Sequence, residues 1–245
     1  MLQSDFEIKS KITINHEFIT TDIFGNIFLI NKNTIIKYNS NFEKECQFSG
    51  NYYDSFELID VVDPFKIQVF SKNQNKIIFL DSRLTETGIE INTEILNILK
   101  PTAVCSFQNG ILIWDEQEFC LYRYSNNKLY KFTKNMRSFF SESPNFLISN
   151  GRMVYLNIPN QAVVCLDNQG NFKYLNNKIN STQISIIDSG IAVFSKQSND
   201  VQFYDSELQF QKRIVIPDTF IINSGHISNN KIYLSNNKAV FVGEF

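Results

Sequence analysis

The amino-acid sequence predicts an all-β fold built from a repeated hairpin, and both its composition and its spacing indicate this. The 245 residues include 23 Phe and 10 Tyr, which favour strands over helices. Gly is scarce at 9 residues, whereas Asn clusters between the apolar runs. Asn tolerates the positive φ angles that tight turns require, so it can replace Gly there. The composition therefore predicts many short strands joined by tight turns.

The clearest hairpin is Gly110–Ser125. Its first strand is the apolar run Ile111–Trp114, and its second is the aromatic-rich run Phe119–Tyr122. The polar segment Asp115–Glu118 separates them. Two strand-length runs joined by a few turn residues predict a β-hairpin.

The same pattern occurs six times along the chain. The six hairpins span residues 26–39, 66–81, 110–125, 152–167, 191–205 and 231–243. Their ends are 38 to 44 residues apart, which is close to the length of one four-stranded propeller blade, about 40–50 residues. Six such steps occupy the chain, so we predict that residues 1–245 form one six-bladed β-propeller with four-stranded blades.

The two chain ends predict how the ring closes. Each hairpin supplies the middle strands b and c of a blade, with an inner strand a before it and an outer strand d after it. The sixth hairpin has no strand d, because the sequence stops at Phe245. An unassigned strand-like segment, residues 6–14, lies at the start. We expect it to complete the last blade as its outer strand, which removes a free sheet edge.

The connections predict an interaction surface on one face. In a propeller the b–c turns and the d–a links lie on the same face, and the two longest connections, Asn92–Pro101 and Lys134–Pro144, are both d–a links. Longer loops on one face often mark a binding surface; the alternative is that they only fill space between blades. The predicted interaction rim comprises Asp115, Glu116, Gln117, Glu94, Arg137 and Asn160.

Trp114, the single Trp, precedes Asp115 in a WD dipeptide. Such dipeptides occur in WD40 blades, but one copy is weak evidence for that class. We favour packing between blades for Trp114, because a Trp in an apolar run is usually part of a core. An exposed binding aromatic is the alternative.

No catalytic motif emerges, so we predict no catalytic, cofactor-binding or metal-binding residues. His16 and His226 are far apart, and no serine-hydrolase elbow, zinc-protease helix or phosphate loop is present. The four Cys show no zinc-ligand spacing and are expected to be buried free thiols. They are Cys46, Cys105, Cys120 and Cys165.

Two other functions stay open. Six-bladed lactonases hold a divalent cation with Glu, Asn and Asp oxygens, and this chain has acids near possible rim or channel positions. These acids are Asp22, Asp60, Asp63, Asp115 and Glu116. A metal-dependent lactonase or hydrolase is therefore an alternative, and binding of a small ligand or glycan by rim aromatics is another.

Charge and hydropathy exclude some partners. Lys and Arg number 23 against 25 Asp and Glu, giving a net charge of −2, whereas nucleic-acid binding calls for a basic surface. No apolar run approaches the length of a membrane-spanning helix. The segment 1–6 lacks the basic and apolar regions of a signal peptide. The chain is therefore either a mature exported domain without its signal or a cytoplasmic protein that starts at Met1.

Several short sequence segments resemble those of one family, the small secreted β-propeller proteins of Bacteroidota. They are Asp22–Leu29, Asp63–Ile67, Asp115–Gln117 with Phe119, Leu121, Arg123 and Tyr124, and Pro144–Leu147. More remotely, the chain is similar to the plug subunit that closes the periplasmic end of the type IX secretion translocon. The resemblance implies a non-enzymatic scaffold in the periplasm whose protein partner is an outer-membrane translocon. Its motifs are structural, so it carries no binding residues over to this sequence.

Overall fold

The computed structural model describes residues 7–159, 161–217 and 220–244, and it confirms the six-bladed propeller. These residues form six antiparallel sheets of four strands each and contain no helix. The first three blades are built from β2 (Phe18–Thr21), β3 (Ile27–Asn31), β4 (Thr34–Tyr38) and β5 (Lys44–Ser49); β6 (Leu58–Asp60), β7 (Ile67–Ser71), β8 (Lys76–Leu80) and β9 (Glu86–Asn92); and β10 (Pro101–Phe107), β11 (Gly110–Asp115), β12 (Cys120–Ser125) and β13 (Lys128–Lys131).

The next two blades repeat this order, and the sixth is made from both ends of the chain. They are built from β14 (Phe146–Ser149), β15 (Met153–Ile158), β16 (Ala162–Asp167) and β17 (Phe172–Asn176); β18 (Gln183–Ile187), β19 (Gly190–Ser195), β20 (Asp200–Asp205) and β21 (Phe210–Val215); and β22 (Ser224–Ser228), β23 (Lys231–Ser235), β24 (Ala239–Glu244) and β1 (Glu7–Thr13). All six predicted hairpins are present as the b and c strands.

The predicted closure is confirmed. Strand β1 pairs with β24 in antiparallel register, with Lys11 opposite Phe241 and Ile12 opposite Val240. The sheet order is β1-β24-β23-β22, so the N-terminal strand is the outer strand of the last blade. Phe6, the first residue of the predicted strand, lies outside the described residues.

The core lies between neighbouring blades, because successive residues of a strand point to opposite faces of its sheet. In β7, Ile67 and Val69 pack against blade one, whereas Phe70 packs against Val104 and Ile113 of blade three. Burying a large apolar side chain stabilises the fold by about 1.5–3 kcal/mol. The repeated layers of such residues therefore hold the ring together.

Trp114 belongs to this core, as predicted. It is buried, and its ring lies 5.2 Å from that of Phe119 and 5.7 Å from that of Phe140, measured between ring centres. Its indole N–H donates a hydrogen bond of 3.1 Å to the Ser143 hydroxyl. This cluster supports the long link between blades three and four from below.

One type of turn closes the c–d connection in four blades. The residue at the end of strand c, or directly after it, is Asn39, Asp81, Asp167 or Asp205, and its side-chain oxygen accepts hydrogen bonds from the backbone N–H groups two and four positions later. The residue three positions after each Asn or Asp has a positive φ angle. Asx turns of this kind need a short polar side chain, which explains why four of the six predicted hairpins end on Asn or Asp.

The cysteines are free thiols, of which Cys105, Cys120 and Cys165 are buried. Cys46, on an outer strand, is half-buried, so it departs from the expectation that all four are buried. Among the residues that the structure describes, no helix is long and apolar enough to cross a membrane.

Candidate functional site

The central channel is closed at the face that carries the b–c turns, called the b–c face below. Phe18 and Phe146 begin inner strands on opposite blades, and their ring centres are 5.9 Å apart across the channel. Gln183 begins a third inner strand and donates its side-chain N–H to the carbonyl of Ile19 at 3.0 Å. These contacts span the channel at this end of the ring.

The channel opens at the opposite face, which carries the a–b and c–d turns and is called the a–b face. Here it forms a blind cavity of about 730 Å³, within the usual 300–1,000 Å³ range of small-molecule sites. Its lining combines hydroxyl groups, the three carboxylates of Asp22, Asp60 and Asp188, one imidazole and aliphatic side chains. These include Thr21, Asp60, Ser149, Ser185, Ile187 and His226.

His226 lies in the inner strand of blade six. Its Nδ1 is 2.8 Å from the Thr21 hydroxyl oxygen of blade one. Burial lowers the pKa of His226 to about 4, so the imidazole is neutral near neutral pH. A neutral imidazole offers one donor and one acceptor, so this side chain adds hydrogen-bonding capacity but no charge to the cavity.

Asp60 connects two blades. Its Oδ2 accepts the backbone N–H of Ser106 in blade three at 2.6 Å, and its Oδ1 accepts that of Val62 at 3.0 Å. Burial raises the pKa of Asp60, and these two donors oppose the rise. The carboxylate is therefore held by two backbone N–H groups, and it positions the a–b turn of blade two against blade three.

Exposed apolar side chains stand beside the cavity mouth. Ile23 and Phe24 lie in the a–b turn of blade one and are 63% and 54% exposed; Val62 and Phe65 lie in that of blade two and are 60% and 69% exposed. The rings of Phe24 and Phe65 meet edge to face at 6.2 Å. We call these four residues the apolar ridge. Exposed apolar clusters of this kind mark interaction surfaces when they are contiguous.

The turn under the ridge is rigid. The carboxylate of buried Asp22 accepts the N–H groups of Phe24 and Asn26, both at 2.9 Å, and Gly25 takes a positive φ of 79°. The serine hydroxyl of Ser228 in blade six donates to the Asp22 carbonyl at 3.0 Å. These hydrogen bonds hold the turn, and with it the outward positions of Ile23 and Phe24.

A groove between blades two and three also opens on the a–b face. It has a volume of about 770 Å³ and shares Val62, Ser149 and Asn150 with the cavity mouth. Its walls include Phe79 on one side and Tyr124 on the other. The groove, the cavity and the ridge therefore form one continuous surface.

Three residues of the predicted rim line two separate depressions on the b–c face. Glu116 and Arg137 line one of them; the Arg137 guanidinium lies 4.3 Å from the Phe119 ring centre and donates to the Glu116 carbonyl at 3.5 Å. Glu94 lines the other and accepts the Asn75 side-chain N–H at 2.8 Å.

The remaining rim residues differ in exposure. Asp115 is buried, and its carboxylate accepts the N–H of Gln117 at 3.0 Å, so it shapes the turn and is withdrawn from the exposed surface. Burial raises the pKa of Asp115, and hydrogen bonds from backbone N–H groups such as that of Gln117 oppose the rise. Gln117 is exposed. Asn160 lies outside the described residues.

Three or more His, Cys, Asp or Glu side chains that could together hold a metal ion do not occur within residues 7–159, 161–217 and 220–244. Asp63 and Glu116, two of the acids considered as ligands, lie on opposite faces.

The sequence prediction missed the apolar ridge. The residues that could have revealed it are the turn formers around it, Asp22 with Gly25 and Asp63 with Pro64. Phe24 and Phe65 stand inside turns that these residues enforce. An aromatic residue inside a tight turn has few ways to reach the core, which is a signal of exposure.

No protein-family model matches the chain, and no curated protein sequence matches it. Many solved structures do. The Cps50 (Swd1) β-propeller domain of Myceliophteria thermophila is 8% identical with a TM-score of 0.66, over 98% of this chain and 99% of that one. A streptogramin B lyase is 14% identical with a TM-score of 0.66, over 96% and 87%. BamB of Moraxella catarrhalis is 10% identical with a TM-score of 0.57, over 99% and 98%. At these identities the likeness shows the propeller fold alone.

Proposed function

We propose that this chain is a non-enzymatic scaffold that binds another protein through its a–b face. The observation that carries the proposal is the apolar ridge. Four large side chains, each more than half exposed, stand together on rigid turns at the mouth of the channel. Protein interfaces place apolar and aromatic residues at their centre. Protein binding removes this surface from water.

The finer part of the proposal concerns place and partner. The resemblance to the secreted propellers of Bacteroidota supports a periplasmic location and an outer-membrane translocon of the type IX kind as the partner, with this chain as its plug or cap. The contact between the rings of Phe18 and Phe146, which spans the channel, supports such a role. The segments of the resemblance include Asp22–Leu29 and Asp63–Ile67, which carry three of the four ridge residues.

The test is co-purification of partners with tagged full-length chains from native membranes after mild cross-linking. Wild type is compared with a Phe24→Ser, Phe65→Ser variant and with a matched variant of the b–c face, Tyr52→Ser, Ile95→Ser, whose two side chains are also exposed. We expect the ridge variant to lose the partner and the matched variant to keep it.

Other outcomes are equally informative. Loss of the partner only in the matched variant would place the interface at the predicted rim near Glu94 and would refute the role of the ridge. Recovery of no partner by wild type would refute the scaffold. A partner other than a secretion translocon would refute only the finer part of the proposal.

A second candidate, binding or turnover of a small molecule, is favoured by the blind cavity with its neutral imidazole. A thermal-shift screen of metabolites, sugars and Ca²⁺ against wild type and His226→Ala tests it. A ligand that raises the melting temperature of wild type but not of the variant would support this candidate. No shift with any compound would remove it.

A further inference from the structure

An amide without a hydrogen-bond partner lies at the floor of the groove between blades two and three. Gln68, on β7, lines the groove and is 1% exposed. Neither its Nε2 nor its Oε1 has a hydrogen-bond partner in the structure. Buried polar groups are nearly always paired, so an unpaired amide calls for an explanation.

The fold does not require this amide. Gln68 points toward blade three, in the same layer as Phe70, Phe79 and Ile111, and it sits directly opposite Phe79 in the register. On its other side Gln68 sits opposite Asp60, whose carboxylate is bonded to the Ser106 N–H of blade three, and the remaining side chains of that layer are apolar. A Leu or Met at this position would pack there without leaving polar atoms unpaired.

We propose that the groove binds an extended peptide segment of a partner protein and that the Gln68 amide pairs with one peptide unit of that segment. A Gln side chain offers an N–H donor and a C=O acceptor side by side, which match the C=O and N–H of a peptide backbone. The inference rests on the proposed scaffold function and names the kind of segment that the scaffold holds.

The walls of the groove suit such a segment. On one side the Lys66 ammonium lies 4.8 Å from the centre of the Phe79 ring, and on the other lie Phe107 and Tyr124. Lys66 is exposed, and its long side chain is the movable part of the wall, so its displacement opens the amide to the ligand.

The groove also continues onto the proposed interface. Val62 belongs both to the groove wall and to the apolar ridge. A segment that leaves the groove at this end reaches the ridge at once. The groove thus binds the backbone of the segment, and the ridge contacts the apolar side chains of the residues that follow in the partner.

Selection of a phage-displayed random peptide library on the immobilised full chain supplies the probe. The strongest binder is synthesised, and its Kd for each variant is measured by fluorescence anisotropy. Gln68→Met, which keeps the volume and removes the amide, should weaken binding at least about tenfold. Its melting temperature should be unchanged or higher. The matched control Gln117→Met, an exposed position on the b–c face, should bind as wild type does.

A scan of the same peptide with single N-methylated residues tests the pairing itself. One position should reproduce the loss with wild type and have no further effect with Gln68→Met. A benzophenone placed in the peptide should cross-link wild type within residues 106–111 or 124–127, a readout that does not depend on the folding of any variant.

Three results would overturn the inference: selection of no peptide, equal affinity for Gln68→Met, or cross-links confined to the b–c face. Equal affinity would indicate that a buried water satisfies the amide. If the native partner still depends on the apolar ridge in any of these cases, the groove proposal fails and the scaffold proposal stands.

Discussion

The two faces of the propeller use their connections in opposite ways. On the b–c face, the long link after blade three is bonded to the turn below it: Met136 N–H donates to the Phe119 carbonyl at 2.9 Å, and the Asn135 side chain donates to that of Glu118 at 2.7 Å. On the a–b face, short turns hold Phe24 and Phe65 out in solvent. The link after blade three is therefore held by bonds to its own blade, whereas the short turns bring the exposed rings of Phe24 and Phe65 into contact at the channel mouth.

The difference has a simple physical cause. The link after blade three pairs backbone groups with the turn below it and buries Met136 and Phe140 beneath it. A five-residue turn closed by one carboxylate, as at Asp22, satisfies its backbone locally and leaves the intervening side chains outside. Loop length by itself is thus a poor guide to the binding face here.

The largest expected change in stability comes from removing Trp114, and it tests whether the aromatic cluster around this residue supports the long link of the b–c face. Trp114→Ala should lower the free energy of unfolding by about 3–5 kcal/mol, because it empties a fully buried site between Phe119 and Phe140. Urea unfolding followed by circular dichroism measures this, since the variant has no Trp fluorescence. Trp114→Phe is the matched control and should lose much less. A loss below about 1 kcal/mol for Trp114→Ala would show that the link is supported in another way.

A smaller effect is expected at the closed end of the channel. Phe18→Ala and Phe146→Ala should each lower the free energy of unfolding by about 2–3 kcal/mol, because both rings are only half-buried. The double variant should lose less than the sum of the single losses, by about 0.5–1.5 kcal/mol, the usual worth of an aromatic pair. A double-mutant cycle in urea gives this coupling. Strict additivity would mean that the two rings do not meet across the channel.

The open end should respond to pH through His226. Its pKa is about 4 in the folded state and near 6.5 in the unfolded chain. Between these values only the unfolded chain binds the proton, so stability falls as pH falls from about 6.5 to about 4, by roughly 1–3 kcal/mol. Urea unfolding of wild type and His226→Asn at about pH 7 and about pH 4.5 measures it.

The variant should lose correspondingly less stability than wild type. His16, whose pKa burial also lowers, and Asp60, whose pKa burial raises, are common to both proteins and cancel in the comparison. Equal losses in the two proteins would show that bulk water reaches the imidazole and that the cavity is wider than the structure has it.

Most of the fold follows from the sequence, because local chemistry repeats with the blades. The hairpin ends at Asn39, Asp81, Asp167 and Asp205 are the residues whose side chains close the c–d turns. The first strand could be assigned to the last blade because that blade lacked an outer strand d. These features depend on short-range patterns and on a count of strands, which a sequence displays directly.

The site was less predictable, because it depends on which side chains the ring brings together. The strand segment that contains Gln68 looks like any other buried strand in the sequence. Its unpaired amide becomes evident only when blade three is placed against it. The contact between Phe18 and Phe146 joins strands on opposite blades. Asp115 occupies the predicted turn but is buried, since the pattern of a turn does not say which of its residues faces water.

The smallest effect on stability is expected at the apolar ridge, and it completes the contrast between the faces. Phe24→Ser with Phe65→Ser should change the free energy of unfolding by no more than about 0.5 kcal/mol per site, because both rings are more than half exposed. Urea unfolding measures this on the protein used for co-purification. A loss of binding with full stability would assign the ridge to recognition. A destabilisation above about 1.5 kcal/mol per site would show that the two rings hold the turns of blades one and two together, and the contrast between the faces would disappear.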